Sequence, residues 1–110
     1  MPVLTLTGTR GAAKGLSLSL PEGEALIGRS RSCGLSLSKI SATCRSVSKR
    51  HAVLRLGEDG KLEIEDLSRH GTFLDGDRIE TATLTDLAWR RHTLRLGRTA
   101  TFRIGIEPQA

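Results

Sequence analysis

Long hydrophobic runs are missing from this sequence, as are tyrosine, most other aromatics and any dense set of cysteines. No apolar stretch approaches the ~20 residues that a membrane-crossing helix needs. The amino-terminal "MPVLTLTGTR" alternates from its start and lacks the charged beginning and apolar block of a signal peptide. A cytoplasmic protein is therefore expected. Cys33 and Cys44 fit neither a metal-type pair nor a disulfide framework, and are read as two reduced, unrelated thiols. Aromatics make up 3% of the chain, too few for the stacking platforms of single-strand binders. A basic nucleic-acid-binding β domain thus has only its charge in support. A convincing helical period over three turns is also absent.

What is present suits one globular unit. The 110 residues allow a single core, so one domain over 1–110 is expected, and 26% charged with 37% apolar residues is an ordinary globular composition. The net charge is +5, carried mostly by arginine, whose planar fork suits carboxylate and phosphate partners.

Period-two patterning dominates. "VLTLTGT", "GLSLSL", "EALIGR", "GLSLS", "HAVLRL", "KLEIEDL", "HTLRLG" and "TFRIGI" each read as a short strand. Asp59-Gly60 and Asp75-Gly76 are hairpin signals, because glycine accepts the positive φ such turns require. Short strands with frequent turns predict an antiparallel sandwich or barrel. "GTRGAAKGLS" reads as the turn between the first two strands and "EPQA" as a frayed tail. Residues 38–47 form the long polar loop, the kind of segment that often carries binding. Residues 80–91 read as a loop with a short strand inside, and Trp89 as either a core or a rim residue.

The chemistry-bearing residues exclude more than they assert. Ser48 and His51 lie three apart at a strand entrance, with no strained nucleophile turn around the serine, so a hydrolytic triad is not expected. His51, His70, His92 and the cysteines have no metal-ligand spacing, and His92 is read as a surface residue. "GTRGAAKGLS" is not a GxxxxGK[ST] loop. Neither enzyme activity nor a cofactor or metal is expected.

Three strand ends, taken together, say more. They are "LIGRS" with Gly28 and Arg29, "SVSKRHA" with Ser48, Lys49 and His51, and "DLSRHGTFLDG" with Ser68, Arg69, His70, Gly71 and Thr72. In this order, in an all-β chain, they resemble the forkhead-associated (FHA) domain, whose pattern is GR, then SxxH, then DxSxNGTFxNG. The resemblance covers nearly the whole chain and implies an antiparallel β-sandwich of the SMAD/FHA type. It also implies a protein-interaction module that binds phosphothreonine peptides with the loops at one end, downstream of a Ser/Thr kinase. Carried over residue by residue, it makes Arg29 the arginine that holds the phosphate and Ser48 the serine whose hydroxyl donates to it. Lys49 falls at a polar or basic position by the phosphate. Arg69, His70 and Thr72 complete the peptide-binding set, with Arg45 and Arg69 either facing the pocket or merely solvated. Gly28, His51 and Gly71 are implied loop supports, and Thr72 shares in shaping the third loop.

The chain departs from that pattern in three places. His70 stands where the family has an asparagine that grips the peptide backbone, and Asp75 where the next asparagine falls. The stretch between Arg29 and Ser48 is several residues longer than usual. "RRHTLRLG" replaces the usual Gly-Asp turn. The first departure keeps open an alternative, an FHA-fold scaffold that docks partner proteins without strict phosphate dependence.

Overall fold

The alternation becomes eleven strands in the computed structural model, which describes residues 2–40 and 45–107. In chain order they are β1 (Val3–Arg10), β2 (Ser17–Pro21), β3 (Gly23–Gly28), β4 (Leu35–Ser36), β5 (Ala52–Leu56), β6 (Leu62–Asp66), β7 (Thr72–Leu74), β8 (Asp77–Ile79), β9 (Thr81–Leu84), β10 (His92–Leu96) and β11 (Ala100–Glu107). Two sheets, ordered β2-β1-β11-β10-β7-β8 and β4-β3-β5-β6-β9, pack face to face as an all-β sandwich.

Period two puts Leu4 and Leu6 of β1, Leu94 and Leu96 of β10, and Phe102 and Ile104 of β11 on one inner face. Leu54, Leu62 and Ile64 supply the other, and all of these are buried in one cluster. Full burial of each such side chain contributes about 1.5–3 kcal/mol. A one-residue slip would drive the intervening threonines and arginines into the core, so the register is strongly specified. Asp75 (φ 51°) and Gly76 (φ 92°) both adopt the left-handed region, which makes the β7–β8 turn the type I′ kind whose twist matches its strands.

Some expectations need adjustment. "GLSLS" contributes only the two-residue β4, which pairs parallel to β3 through Ile27↔Leu35 and Gly28↔Ser36, whereas the other pairs are antiparallel. A parallel neighbour cannot be reached by a tight hairpin, so residues 29–34 must form a crossing loop. The turn at "GTRGAAKGLS" includes a 3-10 turn, Gly11–Ala13, that tucks Ala13 into the core. Residues 80–91 contain β9, then a turn closed by Arg90 N–H on the Asp86 carbonyl at 2.9 Å, which leaves Trp89 77% exposed. Cys33 is buried and its thiol donates to the Lys49 carbonyl at 3.2 Å. Cys44, the centre of the 38–47 loop and the end of "EPQA" lie outside the described residues.

His92 is the clearest correction. Read as a surface residue, it is 7% exposed and sits between two carboxylates, with Nδ1 2.5 Å from Asp75 Oδ2 and Nε2 2.8 Å from Asp86 Oδ1. Carboxylates only accept, so both ring nitrogens must carry protons and the ring is an imidazolium. Burial pulls its pKa down, but the bonds to Asp75 and Asp86 and their charges outweigh burial and raise it above the ordinary 6.5. Asp75 also accepts the Thr93 N–H at 2.9 Å, so the cluster ties the β7–β8 turn to the start of β10. The histidine contribution is complete below pH 6.5, where the unfolded chain is also protonated, and is lost as pH rises through the raised folded value. The melting temperature of the native domain should therefore fall by a few degrees between pH 6.5 and 9, and that of His92→Gln should stay level. Parallel melting curves for the two proteins over that range would remove the imidazolium from this account.

Candidate functional site

Four loops meet at one end of the sandwich, and backbone hydrogen bonds fix their positions. Arg29 N–H donates to the Ser48 carbonyl and Ser30 N–H to the Lys49 carbonyl, both at 3.1 Å. His51 N–H reaches the Ile27 carbonyl, Leu67 N–H the His51 carbonyl, and Gly97 N–H the Gly71 carbonyl, each at 2.9 Å. The β3–β4 and β4–β5 loops approach so closely that a Cβ on Gly28 would lie 2.2 Å from the Lys49 oxygen. Any side chain there would push the two loops apart.

His51 joins the second loop to the third. It is fully buried, with Nδ1 accepting the Ser48 N–H at 3.0 Å and Nε2 2.8 Å from the Gly71 carbonyl. An acceptor nitrogen facing an N–H and a donor nitrogen facing a carbonyl define the neutral ring protonated at Nε2. Its pKa is lowered, chiefly by burial, against weaker opposition from the Gly71 carbonyl and Asp66.

Asp66 organises the third loop from below. Its Oδ1 accepts from the Ser68 N–H at 3.0 Å, the Ser68 hydroxyl at 2.5 Å and the Thr72 hydroxyl at 2.8 Å. Ser68 Oγ in turn accepts the Gly71 N–H at 2.8 Å. Burial raises the Asp66 pKa, but these bonds prevail and hold it below the ordinary 3.8. Thr72, grouped above with the peptide contacts, is fully buried with its hydroxyl committed to Asp66, so it frames the loop and presents nothing to a ligand. Asp66 itself, and the bond from Arg98 N–H to Ser46 Oγ at 2.8 Å that adds the β10–β11 loop, were missed in the sequence. The "DLS" at a strand end carried the signal for the first, because aspartate readily bonds its own backbone two residues on.

What remains outward is polar and cationic. Arg29 is half-buried; its Nε donates to the Val47 carbonyl, and its Nη groups have no partner among the described residues. Ser48 Oγ accepts the Arg69 N–H at 3.1 Å, which leaves its own proton to donate. Lys49, next to Ser48 in sequence, and Arg69, bonded to it, are exposed, as are His70 and Arg45. Residues 28–51 and 67–71 contain no aspartate or glutamate, and Asp66 points inward, so the loop end has positive charge with nothing to neutralise it. A free hydroxyl proton and a guanidinium fork on adjoining loops suit a tetrahedral oxyanion.

The FHA domain profile matches residues 25–89. Serine/threonine-protein kinase RAD53 of Saccharomyces cerevisiae is 40% identical over 53 residues, which are 48% of this chain and 6% of the kinase, so the chain spans only a small part of that relative. The FHA domain of the CT664 protein from Chlamydia trachomatis superposes with a TM-score of 0.71 at 26% identity, covering 100% of both chains. A further solved structure, from an analysis of phosphothreonine-dependent FHA domain interactions, gives a TM-score of 0.74 at 24% identity, over 97% of this chain and 99% of that one.

Proposed function

The chain belongs to the FHA domain family, and from that premise we propose that it binds phosphothreonine-bearing segments of partner proteins at the loop end of the sandwich, after a Ser/Thr kinase has marked them. FHA domains are interaction modules, and the role proposed here requires no catalysis. The observation that carries the reading is the juxtaposition of Arg29 with Ser48. The first donates its backbone N–H to the second, and both keep side-chain donors uncommitted in loops without acidic residues.

The energetics fit a reversible switch. A phosphoryl group brings about two negative charges and three strong acceptor oxygens. Charge-assisted hydrogen bonds contribute ~1.5–3 kcal/mol each, so two or three supply much of a micromolar affinity near −8 kcal/mol. Arg29 and Ser48 are the assigned phosphate contacts, with Lys49 and Arg69 adding charge at the rim. A recess for the threonine methyl adds only ~0.8 kcal/mol, so discrimination against phosphoserine rests on shape as well. No helix among the described residues is long and apolar enough to cross a membrane. A ligand written by a kinase accords with a cytoplasmic site of action.

Calorimetry with a degenerate phosphothreonine peptide library, beside its phosphoserine and unphosphorylated counterparts, tests the reading. Binding should be micromolar for phosphothreonine, weaker for phosphoserine and absent without phosphate. Exposed His70, in place of the asparagine that would grip the peptide backbone, favours the second reading of a phosphate-independent scaffold. Equal binding of the unphosphorylated library would establish that second reading instead.

A further inference from the structure

The outer face of the six-stranded sheet is far from neutral. Register places Arg78, Phe73 and Arg95 side by side across β8, β7 and β10, and Thr93, Arg103 and Thr7 across β10, β11 and β1. Arg91 lies over Gly105, where a Cβ would come within 3.3 Å of its Cγ, so the missing side chain makes room for the arginine stem. Two shallow depressions, of about 300 and 430 Å³, meet at Arg103, one reaching Arg91 and the other Arg95 and Arg10. Their floor is made of short hydroxyl side chains such as Thr5, Ser17 and Thr101, and no carboxylate lines either.

The opposite face of the sandwich is different in kind. There Arg55 is held by Glu24 at 2.6 Å and Glu65 at 3.6 Å, with Glu63 directly across from it in register. Among the described residues, no carboxylate forms an ion pair with Arg10, Arg78, Arg91, Arg95 or Arg103. Like charges crowded on one sheet face repel, and the short hydroxyl floor lets an extended chain come close enough to relieve them.

We propose that this face, which adjoins the loop end where Arg95 Nη1 donates to the Arg98 carbonyl at 3.4 Å and Arg78 lies against Gly71, is a second docking surface, independent of phosphothreonine, for an extended acidic segment of a partner protein. Guanidinium forks pair with carboxylates two bonds at a time, and arginines spread over adjacent strands can meet carboxylates spaced along an extended chain. Single-stranded nucleic acid fits less well. The aromatic ring within this face, Phe73, is covered by the Arg95 guanidinium 4.0 Å from its centroid, which leaves no platform for successive bases. Trp89 is exposed two residues before Arg91 in sequence, which is reason to include a single large apolar residue in the acidic segment sought.

The probe is a fluorescent twelve-residue peptide of alternating Glu and Asp with one leucine, titrated at 50 and 200 mM salt. The native domain should bind it, more weakly at the higher salt, and Arg95→Glu/Arg103→Glu should lose at least tenfold. Lys39→Glu/Lys61→Glu, with the same net charge change away from the face, and Arg29→Ala should each stay within twofold of native. If the double reversal unfolds the domain, Arg95→Gln/Arg103→Gln carries the same expectation at about fivefold. Equal losses in the lysine control, loss in Arg29→Ala, tighter binding of a single-stranded oligonucleotide of matched charge, or salt-sensitive self-association in sedimentation would each overturn the proposal.

Discussion

Arg29→Ala should bind a phosphothreonine peptide some thirtyfold more weakly than the native domain, a loss of about 2 kcal/mol. The side chain has two tasks on two sets of nitrogens. Nε holds the Val47 carbonyl, and the proposed phosphate contact falls to the Nη groups. Truncation removes the charged contact to the ligand outright, while the Val47 carbonyl can turn to water because the position is only half-buried. The stability cost should therefore stay within about 1 kcal/mol. Arg29→Lys separates charge from geometry. An ammonium keeps the charge but cannot hold a carbonyl and a phosphate in two fixed directions at once, so this variant should fall between native and alanine. Calorimetry on the three proteins, each checked by thermal melting, reads the effect. Unchanged affinity in a folded Arg29→Ala protein would remove the phosphate from this end of the sandwich.

The strands were legible because their signal is local. "VLTLTGT" and "TFRIGI" alternate, and alternation alone assigns Leu4, Leu6, Phe102 and Ile104 to the inner face. The hairpin at Asp75-Gly76 was legible for the same reason, since the two positive φ values belong to adjacent residues. The strand in "GLSLS" was anticipated, but not its shortness or its parallel pairing, because a two-residue parallel bridge has neither a period nor a turn to announce its partner. His92 is instructive in another way. It shares the parity of Leu94 and Leu96, so the alternation already pointed it inward. A polar side chain made that reading unattractive until its partners were known, and these lie 17 and 6 residues away in sequence. The loop motifs named residues that meet at one end of the sandwich, but not which of them bond to one another. That Thr72 faces Asp66, and not a ligand, depends on an inward carboxylate that spacing cannot orient.

His51→Ala should be the most damaging single change to stability at the loop end, at about 3 kcal/mol. The ring is fully buried and bridges the Ser48 N–H to the carbonyl of Gly71, which lies 20 residues beyond the histidine. The Gly71 oxygen keeps its bond from Gly97, but the Ser48 N–H loses its acceptor and the ring's volume is left as a cavity. An unsatisfied buried group costs ~1–3 kcal/mol, and the cavity adds to that. The expected fall in melting temperature is about 10 °C or more. Ser48→Ala, which keeps the backbone N–H and the ring, should melt within a few degrees of native. Acid adds an independent signature. Because burial holds the folded His51 pKa below 6.5, the unfolded chain takes up this proton first, and stability is lost as pH falls from 6.5 toward the lowered folded value. This slope has the opposite sense to that of His92, whose contribution is lost as pH rises above 6.5. Melting His51→Ala between pH 5 and 6.5 should therefore show a shallower acid decline than the native domain. A variant that melts within two degrees of native at pH 7, or an acid decline as steep as the native one, would mean that the ring is not the neutral tie between the second and third loops.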